Sequence, residues 1–539
     1  MRLAAFASLL ALVACNGSTS TTDLAGATDA GTTDARALAD LAGQSGGPPD
    51  LTSGPPVDFA FAIGASVLQH HLHATRDGLY SDPTITRAAA ATTHADPNFH
   101  ASIKGPVYAQ PLFIDAHGAP GDDTLVVVTE EDSVIALNAA TGAQRWMKTL
   151  GTPVTQAQLQ CGNIDTVGIT GTPVIDPASN TVYLDALNTP DGGVTKQHLV
   201  FALSLVDGAV RPGFPVDVNA VAKFGSATFD STHQLQRGAL ALVAGVVYVP
   251  FGGYFGDCPS YHGWVVGIDP STNPPRVSAW ASGAEGGPIW GPSGLASDGT
   301  SIFATTGNTA GTKTWAGGEA IFRFSAGPVF SNQTDDYFAP TNWLDLDNED
   351  LDLGGSGVLL VHLSGNTPSE LAVALGKDGN AYVVDRAHLG GIGKPLAQAL
   401  VSTNELIGAP ATYTTPMGTF IVTKGPGAKC PKAPGDLMAL TLTPGTPPTI
   451  ATAWCATING FGSPMVTTTD GTNESIVWAV GAEIDNKLRA FDAETGAVIF
   501  KGGGANEQLG LARRYLAPIA AKGAIYAASD TKIIRFVMP

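Results

Sequence analysis

At 539 residues, with 28 Lys+Arg against 47 Asp+Glu and a net charge of −19, the chain lacks the clustered positive charge of a phosphate-binding face, which excludes a nucleic-acid partner. Only 14% of residues are charged and 44% are hydrophobic, enough apolar content to exclude wholesale disorder. The 65 glycines, with abundant Thr, Val and Ala, predict many short strands and tight turns, as three or four domains or one large repeat fold.

Residues 1–14 read as a secretory leader: Arg2, an apolar run from Leu3 to Val13, then Ala14 before Cys15. The run is too short for a permanent span, which needs about 20 residues. Leu12-Val13-Ala14-Cys15 resembles the lipobox of bacterial lipoproteins. That resemblance implies cleavage before Cys15, lipidation of its thiol and a membrane partner through the lipid. Asn16 follows, not Asp, which by analogy with lipoprotein sorting leaves the outer membrane open. Residues 15–57 are Gly, Ser, Thr, Asp, Ala and Pro with almost no aromatics, and read as a disordered tether.

From 58 to 539 a repeated unit dominates. A small-residue step heads an apolar strand at Ala109, Gly171, Arg237, Gly291, Gly355, Gly408, Gly462 and Leu516. The intervals are 62, 66, 54, 64, 53, 54 and 54 residues, so the longer ones carry loop insertions. Each head leads to a second and a third strand, such as Thr124–Thr129 then Ser133–Leu137, and several copies run on into a fourth. Asn138-Ala139-Ala140-Thr141-Gly142 before Trp146, and Asp492-Ala493-Glu494-Thr495-Gly496 before Phe500, are tight turns: the polar side chain bonds backbone and Gly takes positive φ. Four short strands per unit, eight times over, predict an all-β, eight-bladed propeller of four-stranded antiparallel blades. The eighth copy ends after its third strand. Phe99–Lys104, just before the first head, is the expected fourth strand closing that blade, since a ring must not expose raw edges.

The unit Ala-x-Asn/Asp-x-x-Thr-Gly…Trp resembles the tryptophan-docking motif of the quinoprotein, or PQQ-like, propellers. His70-His71…Arg76-Asp77-Gly78, Val107-Tyr108-Ala109-Gln110-Pro111-Leu112, Gln236-Arg237, Asp350-Leu351-Asp352-Leu353-Gly354 and Gly376-Lys377-Asp378-Gly379 look like motifs of bacterial secreted PQQ-like-repeat proteins. The resemblance covers about residues 65–539 and implies a quinoprotein alcohol dehydrogenase-like fold. That superfamily includes dehydrogenases holding pyrroloquinoline quinone and calcium on the axis, and assembly scaffolds with no cofactor. The chain departs from the dehydrogenases in having no two adjacent Cys and no alignable calcium carboxylate set beside an Asp base.

Removing Cys15 leaves Cys161, Cys258, Cys430 and Cys455, an even number in an oxidising compartment. Three pairings are possible. Blade topology puts all four near one face, where Cys161–Cys258 and Cys430–Cys455 are the local bridges. No Cys-x-x-Cys is present, which excludes c-type haem.

His70-His71-x-His73 has no carboxylate or Cys beside it in sequence and reads as a polar N-terminal strap more than a metal site. Asp345, Asp347, Glu349, Asp350 and Asp352 read as an acidic loop; an EF-hand is excluded because Asp350 stands where the sixth-position Gly belongs. Gly376-Lys377-Asp378-Gly379 reads as a turn between strands. Gln110, Thr172, Gln236, Arg237 and Trp290 lie at or beside heads, hence along the axial channel, and are the candidate ligand contacts. The alternative role for them is to bond one another and plug the channel. No catalytic residue can be assigned. The expectation is a lipid-anchored, outer-membrane propeller that binds a protein or small molecule on its loop face or axial channel. The alternative is a quinone-dependent dehydrogenase of alcohols or sugars.

Overall fold

The computed structural model describes residues 66–117, 122–258 and 260–539. The leader, Cys15 and the tether lie outside them. The described residues form an eight-bladed β-propeller of small antiparallel sheets. The innermost strands are Leu112–Ile114, Val174–Asp176, Ala241–Val243, Ala296–Ser297, Val358–His362, Ala411–Thr415, Met465–Thr468 and Ile519–Ala521, numbered here as blades 1 to 8. Each begins three to five residues after the start of a head. Small residues fit there because backbones approach closely at the axis: a Cβ on Gly291 would lie 2.4 Å from the Gly357 nitrogen in the next blade.

The core lies between blades, not within them. Val126 and Val128 of blade 1 pack with Val182 and Leu184 of blade 2, and Phe303 and Ile321 of blade 4 pack with Leu360 and Tyr382 of blade 5. Tryptophans dock across the same interfaces. Trp146 Nε1 donates to the Leu205 carbonyl at 2.9 Å, and Trp454 Nε1 to the Ala493 carbonyl at 2.7 Å. Each ring covers a turn glycine of the next blade, Gly208 and Gly496, both at positive φ with no room for a Cβ.

The outer edge of blade 8 is occupied by two short N-terminal strands. His94–Ala95 pairs antiparallel with Val537 and Phe536, and Ala101–Ser102 with Ile533 and Lys532.

Residues 66–82 form a strap that meets every blade, its backbone in chain order and blade 3 through the Arg76 side chain. Val67 exchanges two backbone hydrogen bonds with Phe113 of blade 1, and Leu68 accepts from Ile175 of blade 2. Arg76 spans the next two: Nη2 donates to the Leu240 carbonyl and Nε to the Leu295 carbonyl, both at 2.8 Å. Ala74, Thr75, Asp77 and Gly78 then accept from Ser297, Leu360, Thr412 and Val466 of blades 4 to 7. Leu79–Ser81 runs parallel with the inner strand of blade 7, and Asp82 Oδ2 accepts from Gly523 of blade 8 at 2.6 Å. Inner strands are sheet edges with unpaired backbone groups, and the strap satisfies them. His70, His71 and Arg76 are buried where it crosses the channel.

A second device ties neighbours together on the head face. In five blades a carboxylate at the second-to-third-strand turn accepts from a backbone N–H of the segment entering the next blade. These are Glu130 from Gly168 (2.7 Å), Glu319 from Leu353 (2.6 Å), Asp436 from Ile458 (2.7 Å), Glu483 from Arg514 (3.1 Å) and Asp530 from Val107 (3.4 Å).

The acidic segment expected as a loop is in part a helix, Trp343–Glu349. Trp343 and Leu346 bury at a spacing of three, Asp345 and Glu349 are exposed, Asp347 accepts from the Thr309 N–H and hydroxyl, and Asp350 ends the helix in the left-handed region at φ 55°. Gly376–Gly379 is a turn between Glu370–Leu375 and Asn380–Asp385.

Candidate functional site

The loops of the head face enclose a cavity of 490 Å³ near the axis. Segments entering blades 3, 4, 5 and 8 supply Arg237, Trp290, Asp352 and Tyr515. Second-to-third turns of blades 3, 4 and 5 supply Tyr254 with Tyr261, Asn308 and Lys377. The strap lies further along, bonded to the inner strands that follow these heads.

Most charges around the cavity are committed to one another. Buried Asp352 accepts from the Asn308 N–H at 2.8 Å and from Trp290 Nε1 at 3.2 Å, and pairs with Lys377 Nζ at 2.6 Å. Lys377 also pairs with Asp350 at 2.8 Å and lies 5.4 Å over the Trp290 ring. Burial works against the Lys377 charge, but Asp352 and Asp350 outweigh it and hold the ammonium above its ordinary range. Arg514 is paired with Glu483 at 2.7 Å, and Tyr261 donates to Asp257 at 2.6 Å. Arg237 differs. Its guanidinium lies 5.7 Å over the Tyr515 ring, and among the described residues it has no hydrogen-bond or ion-pair partner.

The disulfides border this face. Cys161 is bridged to Cys258 and Cys430 to Cys455, at sequence separations of 97 and 25. The first joins the segment entering blade 2, which brings Asn163 to the cavity, to the blade 3 turn carrying Phe255 and Asp257. Replacing Cys161 and Cys258 by Ser is expected to lower stability by about 2–4 kcal/mol, since a long loop is freed in the unfolded chain. The ring itself should persist, because its closure rests on the strap and on blade 8. Hydrogen exchange on the double variant checks this: faster exchange should be confined to residues 150–170 and 253–262. Loss of protection in all eight blades would defeat the claim, as would free thiols at both positions in the native protein.

Of the residues singled out from sequence, the structure brings Arg237 and Trp290 together in the cavity wall. Gln110, Thr172 and Gln236 lie buried beneath. Gln110 accepts from the His71 N–H and donates to the Gln69 carbonyl; its own N–H donates to Thr172 Oγ1; Gln236 donates to the Gly238 carbonyl at 2.5 Å. Tyr254, Tyr261, Phe255, Tyr515 and Lys377 were not among the sequence candidates. The first three sit in the second-to-third-strand turn of blade 3, which has no periodicity; Tyr515, one residue before the eighth head, had a positional signal, and Lys377 stood in a motif read only as a turn.

The His tract belongs to the strap. His70 and His71 stack with ring centroids 4.2 Å apart, and His73 pairs with Asp77 at 2.9 Å. Burial drives the His71 imidazole down to about 4, so it is neutral in the fold.

Pyrroloquinoline quinone with calcium would need free carboxylates for the cation and an open aromatic face for the rings. Among the described residues no group of three His, Cys, Asp or Glu is placed to hold a metal ion. Asp350 and Asp352 are occupied by Lys377, which also covers Trp290. This donor set does not fit the pair.

Residues 104–278 match the family model described as outer membrane protein assembly factor BamB. Among solved structures the chain is similar to a quinohemoprotein alcohol dehydrogenase from Pseudomonas putida, at 14% identity and a TM-score of 0.62, covering 88% of this chain and 80% of that one. The corresponding enzyme from Comamonas testosteroni gives 14% identity and a TM-score of 0.54, over 89% and 82% of the two chains. A europium-containing methanol dehydrogenase gives 12% and 0.57, over 88% and 98%. At these identities the likeness is one of fold. No curated protein matches the chain in sequence.

Proposed function

The chain is an eight-bladed propeller of PQQ-like repeats, and from that premise we propose that it is a binding module of the cell envelope that takes a small molecule into its axial cavity. The 490 Å³ cavity supports this reading: its aromatic walls from Tyr254, Tyr261, Trp290 and Tyr515, with a few polar groups among them, suit a compact ligand. Its position also agrees with the rule that binding residues sit on loops held by a rigid scaffold. The envelope placement rests on the leader, the Cys15 lipobox and two disulfides, which persist in oxidising compartments. Anchoring through a lipid on Cys15 is part of the proposal.

The test is a ligand-observed NMR screen of the purified protein against a mixed panel of aromatic, sugar and aliphatic compounds, both charged and neutral. Saturable binding that is lost when Tyr515 and Tyr254 are changed to Ala supports the reading. No binding by any compound in the panel overturns it. The same preparation is offered pyrroloquinoline quinone and calcium, with alcohols, sugars and a reducible dye. Dye reduction would establish the dehydrogenase alternative in its place.

A further inference from the structure

We propose that the axial cavity is selective for aromatic monocarboxylates, with Arg237 receiving the carboxylate. This rests on the binding reading above and deepens it. The argument begins with the charges. Lys377 and Arg514 are the other cations at the cavity, and both are already paired with carboxylates. Arg237 is partly buried and lies over the face of Tyr515, with buried Glu130 near enough to feel its charge but, among the described residues, no carboxylate paired or hydrogen-bonded to it. A guanidinium stacked on a ring keeps its edge donors free. Those donors form the fork that matches the two oxygens of a carboxylate. Withdrawing a guanidinium from water without an anion is unfavourable, so an incoming carboxylate gains more here than at an exposed arginine.

The surrounding charge limits the ligand to one negative charge. Asp257, Asp350, Asp352 and Glu405 border the same cavity, and the whole chain carries −19. A second anionic group would meet these carboxylates with no free cation to receive it. That disfavours a phosphate dianion, and it disfavours polycarboxylates, pyrroloquinoline quinone among them. The walls set the body of the ligand. Tyr254, Tyr261 and Tyr515 line the cavity, and Phe255 at the rim is 66% exposed although it is held on a disulfide-braced turn. Such faces favour a planar apolar body.

Isothermal titration of the purified protein with matched probes tests this. The panel pairs benzoate, 2-naphthoate and indole-3-acetate with their amides, and adds 2-naphthyl phosphate and a benzene tricarboxylate. At least one monocarboxylate should bind ten-fold or more tightly than its amide, and the phosphate and tricarboxylate should be weaker than the monocarboxylate. Arg237→Gln should abolish the preference of acid over amide, and Arg237→Lys should restore part of it. Both variants should unfold as cooperatively as the parent, since Arg237 makes no structural hydrogen bond. Acid and amide binding equally, or a preference that survives Arg237→Gln, would overturn the ligand class and leave the cavity reading intact. Failure of every probe, charged and neutral, would overturn both.

Discussion

Removing residues up to 105 is expected to abolish cooperative folding, whereas removing residues up to 57 leaves the melting temperature unchanged. The longer deletion takes away the strap and both outer strands of blade 8 together. Through the strap, the inner strands of blades 1, 2 and 4 to 7 lose backbone partners, and blades 3 and 8 lose the bonds of Arg76 to Leu240 and of Asp82 to Gly523 beside theirs. Through the outer strands, the edge of Lys532–Val537 is opened. Val67, Tyr80, Ile85, Phe99 and Ile103 are all buried in the core shared by blades 7, 8 and 1. Burying side chains of this kind contributes about 1.5–3 kcal/mol each, so together they amount to on the order of 10 kcal/mol. That matches the whole net stability of a typical domain, about 5–15 kcal/mol. Circular dichroism melts of the two truncations provide the measurement. Equal transitions would show that the ring closes without its N-terminal segment.

The eight heads were legible because closeness to the axis restricts side-chain volume, and that restriction is written as Gly, Ala, Ser and Pro at regular intervals. The turn at Gly496 was legible for a similar reason: it lies under the Trp454 indole with no room for a Cβ, whereas Gly208, under Trp146, was not read from sequence. The strap left no such trace. Its bonds to the blades are mostly made by backbone, which any sequence supplies, and among side chains chiefly Arg76 and Asp82 take part. The carboxylate ties were also missed. Glu130, Glu319, Asp436, Glu483 and Asp530 share a place in the blade but no surrounding motif, so five acids in a chain of −19 do not stand out. The segment 343–349 misled because its acidic residues outnumber the two that bury, Trp343 and Leu346.

Two buried acids on the head face should make the protein less stable as pH rises from acid to neutral, against the usual behaviour of carboxylates. Glu130 and Asp132 are fully buried at the turn of blade 1. Burial pushes the Glu130 carboxyl up to about 7. Burial, reinforced by the neighbouring Glu130, Asp185 and Glu131 charges, pushes Asp132 up to about 9. Glu130 Oε2 accepts from Gly168 and Thr170, but Oε1 has no protein partner, nor has either Asp132 side-chain oxygen. The unfolded chain titrates these groups at their ordinary 4.5 and 3.8. Below those values both states are protonated and the groups do not oppose folding. Above them the unfolded state releases protons that the folded state retains. Stability then falls with pH, until about 7 for Glu130 and about 9 for Asp132. Each group contributes up to about 1.4 kcal/mol per pH unit within its window. Carboxylates held low, such as Asp269 and Asp470 at about 2, act in the opposite sense but only below about pH 4. His71, held down to about 4, takes up a proton only in the unfolded chain below its ordinary 6.5 and so acts in the opposite sense over the lower part of this window. The fall in denaturation midpoint is therefore clearest from about pH 6.5 upward, with the Glu130 share lying between pH 5 and pH 7. Glu130→Gln keeps an oxygen for the Gly168 N–H and carries no charge at any pH, so it should flatten the slope over that range and raise stability most at neutral pH. Parallel pH profiles for the variant and the parent would show that Glu130 is ionised in the fold, and would remove it as the source of the slope.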